Sequence, residues 1–401
     1  MIEMKVLYIS AFCSARLQII LSDGGRRDPG YAVHKFNSLL IRGMQANEVT
    51  VQALSVIPTS PSRSRRKVWN EGREQENGIS IKYVPFINVK GLRQLCVFTY
   101  SFIFVIIWSL RVRGSKCLVC DALNISQNMG ALLASKLVGV KSVGILTDMP
   151  GLMVTQKKGS RKTKFLEFSN KSFLNLYSGY VFLTEQMNGV VNKHNRPYIV
   201  MEGMVDSSIC DAHSEQMEKQ KRIVMYAGGL HEKYGLKMLV DGFLSLHQKD
   251  VALHIYGNGP YVEELKAKSL IDSRVCYKGS VANDVIVRAE KEATLLVNPR
   301  PTHEEFTKYS FPSKNMEYMA SGTPLLTTRL PGMPKEYHKY VFLFEDESTE
   351  GYADKLNEVL SLPDATLSLK GQEAKRFVLN EKSNTSQGRR VVQLIKQLLT
   401  K

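Results

Sequence analysis

The sequence lacks most of the short patterns that would assign it to a familiar chemistry. It holds six cysteines in 401 residues, and only Cys117 and Cys120 are spaced like metal ligands. No second pair accompanies them, and residues 116–121 read as a buried strand, so we expect structural thiols rather than zinc or redox chemistry. A Walker A loop, a serine–histidine–acid signature and a G-x-G-x-x-G fingerprint are also missing. No short motif therefore indicates a P-loop, a hydrolase triad or a dinucleotide site.

Acidic residues are scarce in the first half of the chain. Residues 1–205 hold 27 Lys and Arg against 12 Asp and Glu, a net +15, whereas residues 206–401 hold 27 against 26, a net +1. The basic runs at 63–67 and 157–164 suit an anionic partner: a membrane surface, a phosphate-bearing acceptor or nucleic acid. No nucleic-acid motif occurs, and aromatic residues do not alternate with the basic runs. We therefore expect contact with an anionic membrane and no nucleic-acid partner, although either run taken alone is better explained as a solvated loop.

Strand patterns alternate with helical patterns through both halves, which indicates two doubly wound, mainly parallel α/β sheets. Such a length suits two domains. The predicted divisions are an N-terminal Rossmann-like domain at 1–205, a polar linker at 206–219, a C-terminal Rossmann-like domain at 220–380 and a final helix at 381–401. The first residues lead directly into a strand, so we expect no signal peptide and a cytoplasmic protein with reduced thiols.

Residues 95–110, LCVFTYSFIFVIIWSL, are apolar on every helical face and free of charge, with Arg93 before them and Arg111 and Arg113 after them. Our favoured interpretation is a fully buried helix against the first sheet. Alternatively, the helix lies in a membrane interface with its basic flanks on lipid headgroups and Trp108 at the boundary. A spanning helix is the weakest alternative, because spanning takes about 20 such residues.

The segment from residue 298 to residue 324 carries the clearest chemistry. It reads as a polar loop after an apolar strand, followed by a helix. Pro312 suits a first helical turn, and Ser313 and Lys314 place a hydroxyl and a cation beside free backbone N–H groups, which favours phosphate. Glu317 lies where a carboxylate would accept hydrogen bonds from a sugar diol. The segment therefore predicts a nucleotide-sugar site, and the alternative is a capped core helix with a solvated Glu317.

This segment resembles the donor-site signature of retaining glycosyltransferases of the GT-B architecture, family four. Glu317 with the tail YMASGTP to Pro324 matches the second glutamate of that signature, which binds the ribose of the donor. The first glutamate would stand at position 309, where this chain has Tyr309. The resemblance implies that Glu304 or Glu305 takes that sugar-contacting role. It also implies two Rossmann-like domains facing each other across a cleft, with the final helix crossing back to the first domain.

Other predicted donor-binding residues follow from the same resemblance. After the first strand of the second half, Gly228 and Gly229 allow close approach of the backbone to a ligand. Gly229 stands where the family has arginine and Tyr234 where it has lysine, so Lys233 is expected to bring charge to the diphosphate. Gly257 lies in a turn similar to the family's turn near the nucleotide base. Arg300 follows a buried strand and would touch phosphate or acceptor.

In the first half, Gly25 and Gly30 lie in a loop that in the family approaches the donor from across the cleft. Asp148 follows a buried strand, where it would position or deprotonate the acceptor hydroxyl; a role as helix cap or loop residue is equally open. The Asp-x-Asp pair with which the other main glycosyltransferase architecture holds a divalent metal is absent. We therefore expect a site without metal or other cofactor, in which a helix start and basic side chains stabilise the leaving nucleotide.

Together these features predict a retaining hexosyltransferase that uses a UDP- or GDP-sugar and a saccharide acceptor carried on a lipid. We place it on the inner face of the cell membrane, in surface polysaccharide synthesis. Two alternatives remain: a nucleotide-sugar epimerase of the same architecture, and a non-enzymatic basic protein that binds membranes or nucleic acid.

Overall fold

The computed structural model describes residues 3–22, 31–149, 173–208 and 222–400. The chain divides into two compact units. Unit 1 consists of Met1–Met204 and Ser383–Lys401, and unit 2 is Val205–Lys382. Most of the predicted linker at 206–219 lies outside the described residues.

Unit 1 is built on a sheet that has eight strands in the described residues, in the order β10-β9-β8-β7-β1-β2-β5-β4. All neighbouring strands in it are parallel except β4, which runs antiparallel to β5. The short strands β3 and β6 pair separately as an antiparallel ribbon. The strands are β1 (Met4–Ser10), β2 (Val49–Ser55), β3 (Val68–Trp69), β4 (Arg73–Glu76), β5 (Ile79–Tyr83), β6 (Phe86–Ile87), β7 (Ser115–Asp121), β8 (Lys141–Leu146), β9 (Gly179–Phe182) and β10 (Tyr198–Val200).

Helices connect these strands, as right-handed parallel crossovers require. They are α1 (Ala15–Ser22), α2 (Tyr31–Gln45), α3 (Leu92–Arg111), α4 (Ile125–Leu137) and α5 (Glu185–Val191). The chain's last helix, α12 (Asn384–Leu399), also belongs to unit 1 and packs on α2. Glycine permits that close packing, because a Cβ at Gly43 would overlap the backbone of Asn384 and one at Gly388 would overlap Gly43.

Unit 2 contains a second sheet, with six parallel strands in the described residues in the order β13-β12-β11-β14-β15-β16. Its strands are β11 (Arg222–Gly229), β12 (Val251–Asn258), β13 (Val275–Gly279), β14 (Leu295–Asn298), β15 (Leu325–Thr328) and β16 (Phe342–Phe344). Its α-helices are α6 (Leu236–Leu244), α7 (Val262–Ile271), α8 (Asn283–Glu292), α9 (Ser313–Ser321), α10 (Thr349–Leu360) and α11 (Asp364–Glu381), with 3₁₀ turns at Glu232–Tyr234, Glu305–Lys308 and Lys335–Tyr340. In both units strands alternate with helices along the chain, which is the doubly wound arrangement that the sequence pattern predicted.

The expectation of a fully buried helix at 95–110 is wrong. The helix α3 is longer than predicted, and only one stripe of it is buried, at Val97, Ser101, Val105 and Trp108–Ser109. By length and apolar composition alone α3 could cross a membrane, yet only 28% of its most apolar window is buried within the fold. Its outer side therefore leaves a large apolar surface without a partner among the described residues.

The cysteine pair lies where the sequence predicted. Cys117 and Cys120 are both fully buried in β7. Burial raises the pKa of Cys117 to about 12, and burial also raises the pKa of Cys120 well above its ordinary value. Thiols that stay protonated in this way are unsuited to metal binding or redox exchange at neutral pH.

Candidate functional site

The second sheet has its switch point between β11 and β14, where the chain changes the direction in which strands are added. In doubly wound sheets the carboxyl ends of the strands at such a point form the ligand crevice. A pocket of about 80 Å³ occurs there. The residues that line it are Tyr226, Ala227, Gly228, Gly229, Tyr234, Asn298, Arg300, Pro312, Ser313, Lys314 and Tyr318.

Buried hydrogen bonds fix the position of α9 against the sheet. The hydroxyl of Tyr318 accepts a hydrogen bond from the backbone N–H of Ala227 at 2.8 Å and donates to its carbonyl at 3.1 Å. Asn298, at the end of β14, donates its amide to the side-chain oxygen of Asn315 at 2.6 Å. Because these hydrogen bonds are buried, they hold the start of α9 beside the ends of β11 and β14, although the amide nitrogen of Asn315 has no partner among the described residues.

Arg300 is the most unusual side chain of the pocket. Its Nε is buried and has no hydrogen-bond partner among the described residues, and no described carboxylate forms an ion pair with it. The guanidinium instead stacks on two aromatic rings, 5.0 Å from the centroid of Tyr234 and 5.5 Å from that of Phe306. Burial lowers the pKa of Arg300, which is the desolvation cost of a charge without an anion. Buried charges are normally paired, so this pocket is suited to an anionic ligand.

Ser313 and Lys314 lie at the opening of the pocket, in the first turn of α9. Pro312 precedes the helix as its N-cap and is not in its first turn, which corrects the predicted position by one residue. The ammonium of Lys314 is 2.8 Å from Glu317 and 3.9 Å from Glu290, whose side chain is only 3% exposed. These two carboxylates hold the cation at the pocket edge, where the free N–H groups of a helix start also favour anions.

Glycines allow the backbone to approach closely at the ends of β11 and β12. Gly257 has φ of 133° and lies opposite Gly228 in the sheet; a Cβ there would overlap the carbonyl oxygen of Gly228. A Cβ at Gly228 would come within 2.8 Å of the hydroxyl of Tyr226. The two glycines therefore let the strand ends lie side by side beneath the pocket.

Four of the predicted donor-site residues lie outside the pocket lining. Gly257 supports the lining from the neighbouring strand, and Glu317 is joined to it through Lys314. Lys233 is exposed and lies 5.5 Å from the Tyr234 ring and 5.9 Å from the Phe306 ring, the same pair that Arg300 contacts. Glu305 is exposed at the start of a 3₁₀ turn. The structure thus brings Gly228, Gly229, Arg300, Ser313 and Lys314 together most closely.

Asp148 lies in unit 1, two residues after β8 and partly buried. Burial raises its pKa, and the nearby carboxylate of Asp121 raises it further. Asp121 ends the adjacent strand β7 and accepts hydrogen bonds from the hydroxyl of Ser10 at 3.0 Å and the amide of Asn124 at 3.0 Å. Two carboxyl groups therefore share one sheet edge in unit 1. The predicted donor-contacting glycines Gly25 and Gly30 lie outside the described residues.

Sequence reasoning missed the residues that build the pocket wall. Tyr226, Tyr318 and Asn298 hold the pocket together through hydrogen bonds that are buried for Tyr318 and Asn298 and partly buried for Tyr226. Their position in the sequence could have indicated them, because each lies toward the end of an apolar strand or inside the glutamate signature. Phe306 had no signal, because its ring reaches Arg300 only through the folding of the loop after β14.

Comparison with known proteins agrees with this geometry. Residues 221–362, which include the whole pocket, match the family model for glycosyl transferases group 1. Comparison with curated protein sequences finds no significant match. Among solved structures, the chain is similar to sucrose-phosphate synthase from Thermosynechococcus elongatus (TM-score 0.66, 14% identity, 99% of this chain and 100% of that one covered).

Two further structures are similar over the whole chain. One is Anabaena Alr3699/HepE in complex with UDP (TM-score 0.62, 13% identity, 98% and 100% covered). The other is the lipopolysaccharide outer core galactosyltransferase WaaB (TM-score 0.60, 15% identity, 98% and 99% covered). At such identities the likeness shows the shared fold, and the group 1 match lies within the second unit. The chain has the GT-B fold, and the glycosyl transferases group 1 match at residues 221–362, which contains the pocket around Arg300, supports a glycosyltransferase enzyme.

Proposed function

We propose that this enzyme transfers a hexose from a UDP- or GDP-sugar to a saccharide acceptor carried on a lipid, with retention of anomeric configuration and without a metal. The acceptor and the basic first half suit assembly of a surface polysaccharide at the inner face of the cell membrane. Support comes from the two similar proteins whose names mention UDP and a lipopolysaccharide core.

The observation that carries this proposal is the partly buried guanidinium of Arg300, whose buried Nε has no hydrogen-bond partner and which has no anionic partner among the described residues. The chemical difficulty of the reaction is departure of a charged diphosphate from the anomeric carbon. Arg300, Lys314 and the first-turn N–H groups of α9 would stabilise that charge as it develops. Such a set needs no cation from solution, which is why we propose metal independence.

Glu317 would bind the ribose hydroxyls of the donor, because its carboxylate lies one turn into α9 beside Lys314. Asp148 would position the acceptor hydroxyl from unit 1. In a retaining transfer the leaving phosphate itself takes the acceptor proton, so Asp148 acts on orientation rather than as an obligatory base. An epimerase of the same architecture would instead need catalytic carboxylates and histidines around the sugar and would release its product without any acceptor.

Thermal unfolding with UDP, GDP, their common sugars and NAD tests the donor. A ligand at a hundred times its dissociation constant adds about 2.7 kcal/mol to the free energy of unfolding. We expect one nucleotide family to raise the melting temperature equally with and without EDTA, and NAD to have no effect. Absence of a response to every nucleotide would contradict the donor assignment. A response that EDTA abolishes would contradict metal independence alone.

A further inference from the structure

The outer side of α3 carries one continuous apolar stripe. Leu92, Leu95, Ile103, Ile107 and Leu110 follow one another at helical spacing, with Thr99 as the polar residue in the same row. Their side chains are 40–76% exposed, with Leu95 at 60% and Leu110 at 76%. A surface helix of a water-soluble protein presents the opposite pattern, with its apolar stripe inward and polar residues outward.

The inner side of α3 is already occupied. Its buried stripe includes two serines, Ser101 and Ser109, and it packs on α4. The approach is close, because a Cβ at Gly130 of α4 would overlap the backbone carbonyl of Phe98. Packing within unit 1 therefore explains the inner stripe and leaves the outer one unexplained.

The apolar surface continues from α3 onto the ribbon of β3 and β6. Val68 and Ile87 are partners in that ribbon and are 58% and 40% exposed, while the alternate pair, Trp69 and Phe86, is buried. Val89, in the connection to α3, is exposed as well. Because β6 packs on α3, these exposed apolar residues neighbour the outer stripe of the helix, and we call them together the α3 surface.

Basic residues flank the α3 surface along the sequence. Between Glu76 and Asp121 the sequence contains no acidic residue and six basic ones, and Lys90 and Arg111 lie at the two ends of α3. The basic run 63–67 is tied to the ribbon, because Asn88 donates its backbone N–H to the carbonyl of Lys67 at 2.6 Å. An apolar surface bordered by Lys and Arg is complementary to an anionic bilayer, whose headgroups are negative and whose interior is apolar.

A recess of about 380 Å³ lies on this side of α3. It is lined by Pro85, Leu95, Cys96, Thr99, Tyr100 and Ile103, and is almost wholly apolar. It is larger than the pocket at Arg300 but offers no charged group to a ligand. Such a recess suits a hydrocarbon chain rather than a nucleotide.

We propose that the α3 surface docks on an anionic lipid bilayer, with α3 lying along the interface and the run 63–67 on the headgroups. The helix does not span, because spanning would separate its inner stripe from α4. This inference deepens the membrane location proposed above and does not depend on the donor chemistry. A second copy of the chain would be repelled by the same basic border, which favours lipid over self-association.

Sedimentation with phosphatidylcholine vesicles, with and without phosphatidylglycerol, tests the proposal on the full-length enzyme. We expect binding only to the anionic vesicles, weakened by high salt. Replacing Leu95, Ile103 and Ile107 with Gln should weaken binding by about tenfold or more, since these side chains would lose their burial in the interface. Replacing Arg63, Arg65 and Lys67 with Gln should weaken it on the order of a hundredfold, at about fivefold per cation.

Matched controls come from unit 2. Leu270→Gln with Ile271→Gln removes two side chains that are 90% and 79% exposed on α7, and should leave binding unchanged. Nucleotide stabilisation, measured on every variant, should stay as in the wild type, which separates loss of docking from loss of fold or donor binding. Equal binding of the Leu95, Ile103 and Ile107 variant would overturn the proposal. So would binding to neutral vesicles alone, or a dimer that the same substitutions disperse without any vesicle binding.

Discussion

The helix that begins near the carboxyl ends of the strands has different partners in the two sheets. In unit 1 the start of α1 is filled by the chain's own carboxylates: the N–H of Ala15 donates to Glu76 at 2.7 Å, and the hydroxyl of Ser14 donates to Glu74 at 2.8 Å. In unit 2 the start of α9 is open, and Lys314 lines a pocket next to Arg300. Two helix starts with the same favourable dipole therefore differ in whether an anion from outside has room.

Net charge alone would have placed the phosphate site in unit 1. By sequence, unit 1 holds 31 Lys and Arg against 12 Asp and Glu, a net +19, whereas unit 2 holds 23 against 26, a net −3. The candidate phosphate site nevertheless lies in unit 2. One partly buried guanidinium, that of Arg300, matters more there than many solvated lysines, because its charge is screened less by water. The excess charge of unit 1 suits an extended anionic surface such as the proposed bilayer.

The largest expected effect comes from removing the buried cation of unit 2. Arg300→Leu should lower transfer activity by about 10²–10³, the usual cost of losing a preorganised group that stabilises developing charge. It should also abolish stabilisation by the donor nucleotide. The ligand-free variant should be at least as stable as the wild type, since an uncompensated buried charge is replaced by an apolar side chain. Activity and melting curves with and without nucleotide measure all three.

Arg329→Leu is the matched control, because Arg329 is exposed in the same unit and pairs with Glu345. It should leave activity and nucleotide response unchanged. If Arg300→Leu kept its stabilisation by nucleotide, the proposal that the unit 2 pocket binds an anion through Arg300 would be contradicted.

Glu317→Ala should weaken donor use by about tenfold, the loss of one or two hydrogen bonds to a sugar diol. The fold should survive, because the pair with Lys314 is partly exposed and such pairs stabilise by about 1 kcal/mol at most. Glu263→Ala removes a pair of the same spacing and length, with Lys266 on α7, and should leave the nucleotide response unchanged. Unchanged donor affinity and turnover in Glu317→Ala would contradict the ribose assignment.

The fold was predictable because it depends on periodic patterns. The alternation of strands and helices predicted the two parallel sheets, and the strand expected directly after the first residues is β1 (Met4–Ser10). The short strands β3 and β6 were missed because two residues carry no period. The burial of α3 was predicted wrongly because its sequence is apolar on every helical face. No polar face therefore indicates which side of the helix is exposed.

The candidate site was predictable where it depends on local chemistry. Ser313 and Lys314 follow from the rules for helix starts, and Gly228 from the need for close backbone approach. The cluster of Arg300 with the Tyr234 and Phe306 rings could not be predicted. It joins three segments through a loop whose path no local pattern encodes. Glu305 was chosen from sequence position, and that loop leaves it exposed.

Glu74→Gln should break the filled helix start of unit 1. Burial raises the pKa of Glu74, but hydrogen bonds from Arg16, Ser14 and Tyr83 outweigh it, so the pKa is lowered. A lowered pKa means that the ionised carboxylate stabilises the fold above its ordinary pKa and that this stability is lost as pH falls through the folded value. The variant should lose about 1 kcal/mol at pH 7, and the loss should vanish in strong acid. Denaturant unfolding across pH measures this difference, and a loss of equal size at every pH would contradict it.

Asp148→Asn should change the stability of the fold at pH 7 in the opposite direction to Glu74→Gln. Burial and then Asp121 raise the pKa of Asp148, so the folded state disfavours its ionised form. The resulting destabilisation begins as pH rises through the ordinary value of an aspartate and is complete above the folded pKa. The variant should therefore unfold at a slightly higher temperature than the wild type at pH 7 and at the same temperature in strong acid.

The KM of the Asp148→Asn variant for the acceptor should rise while donor stabilisation is unchanged, because Asp148 belongs to unit 1 and the donor pocket to unit 2. If donor stabilisation fell instead, the division of roles between the two sheet edges would be wrong.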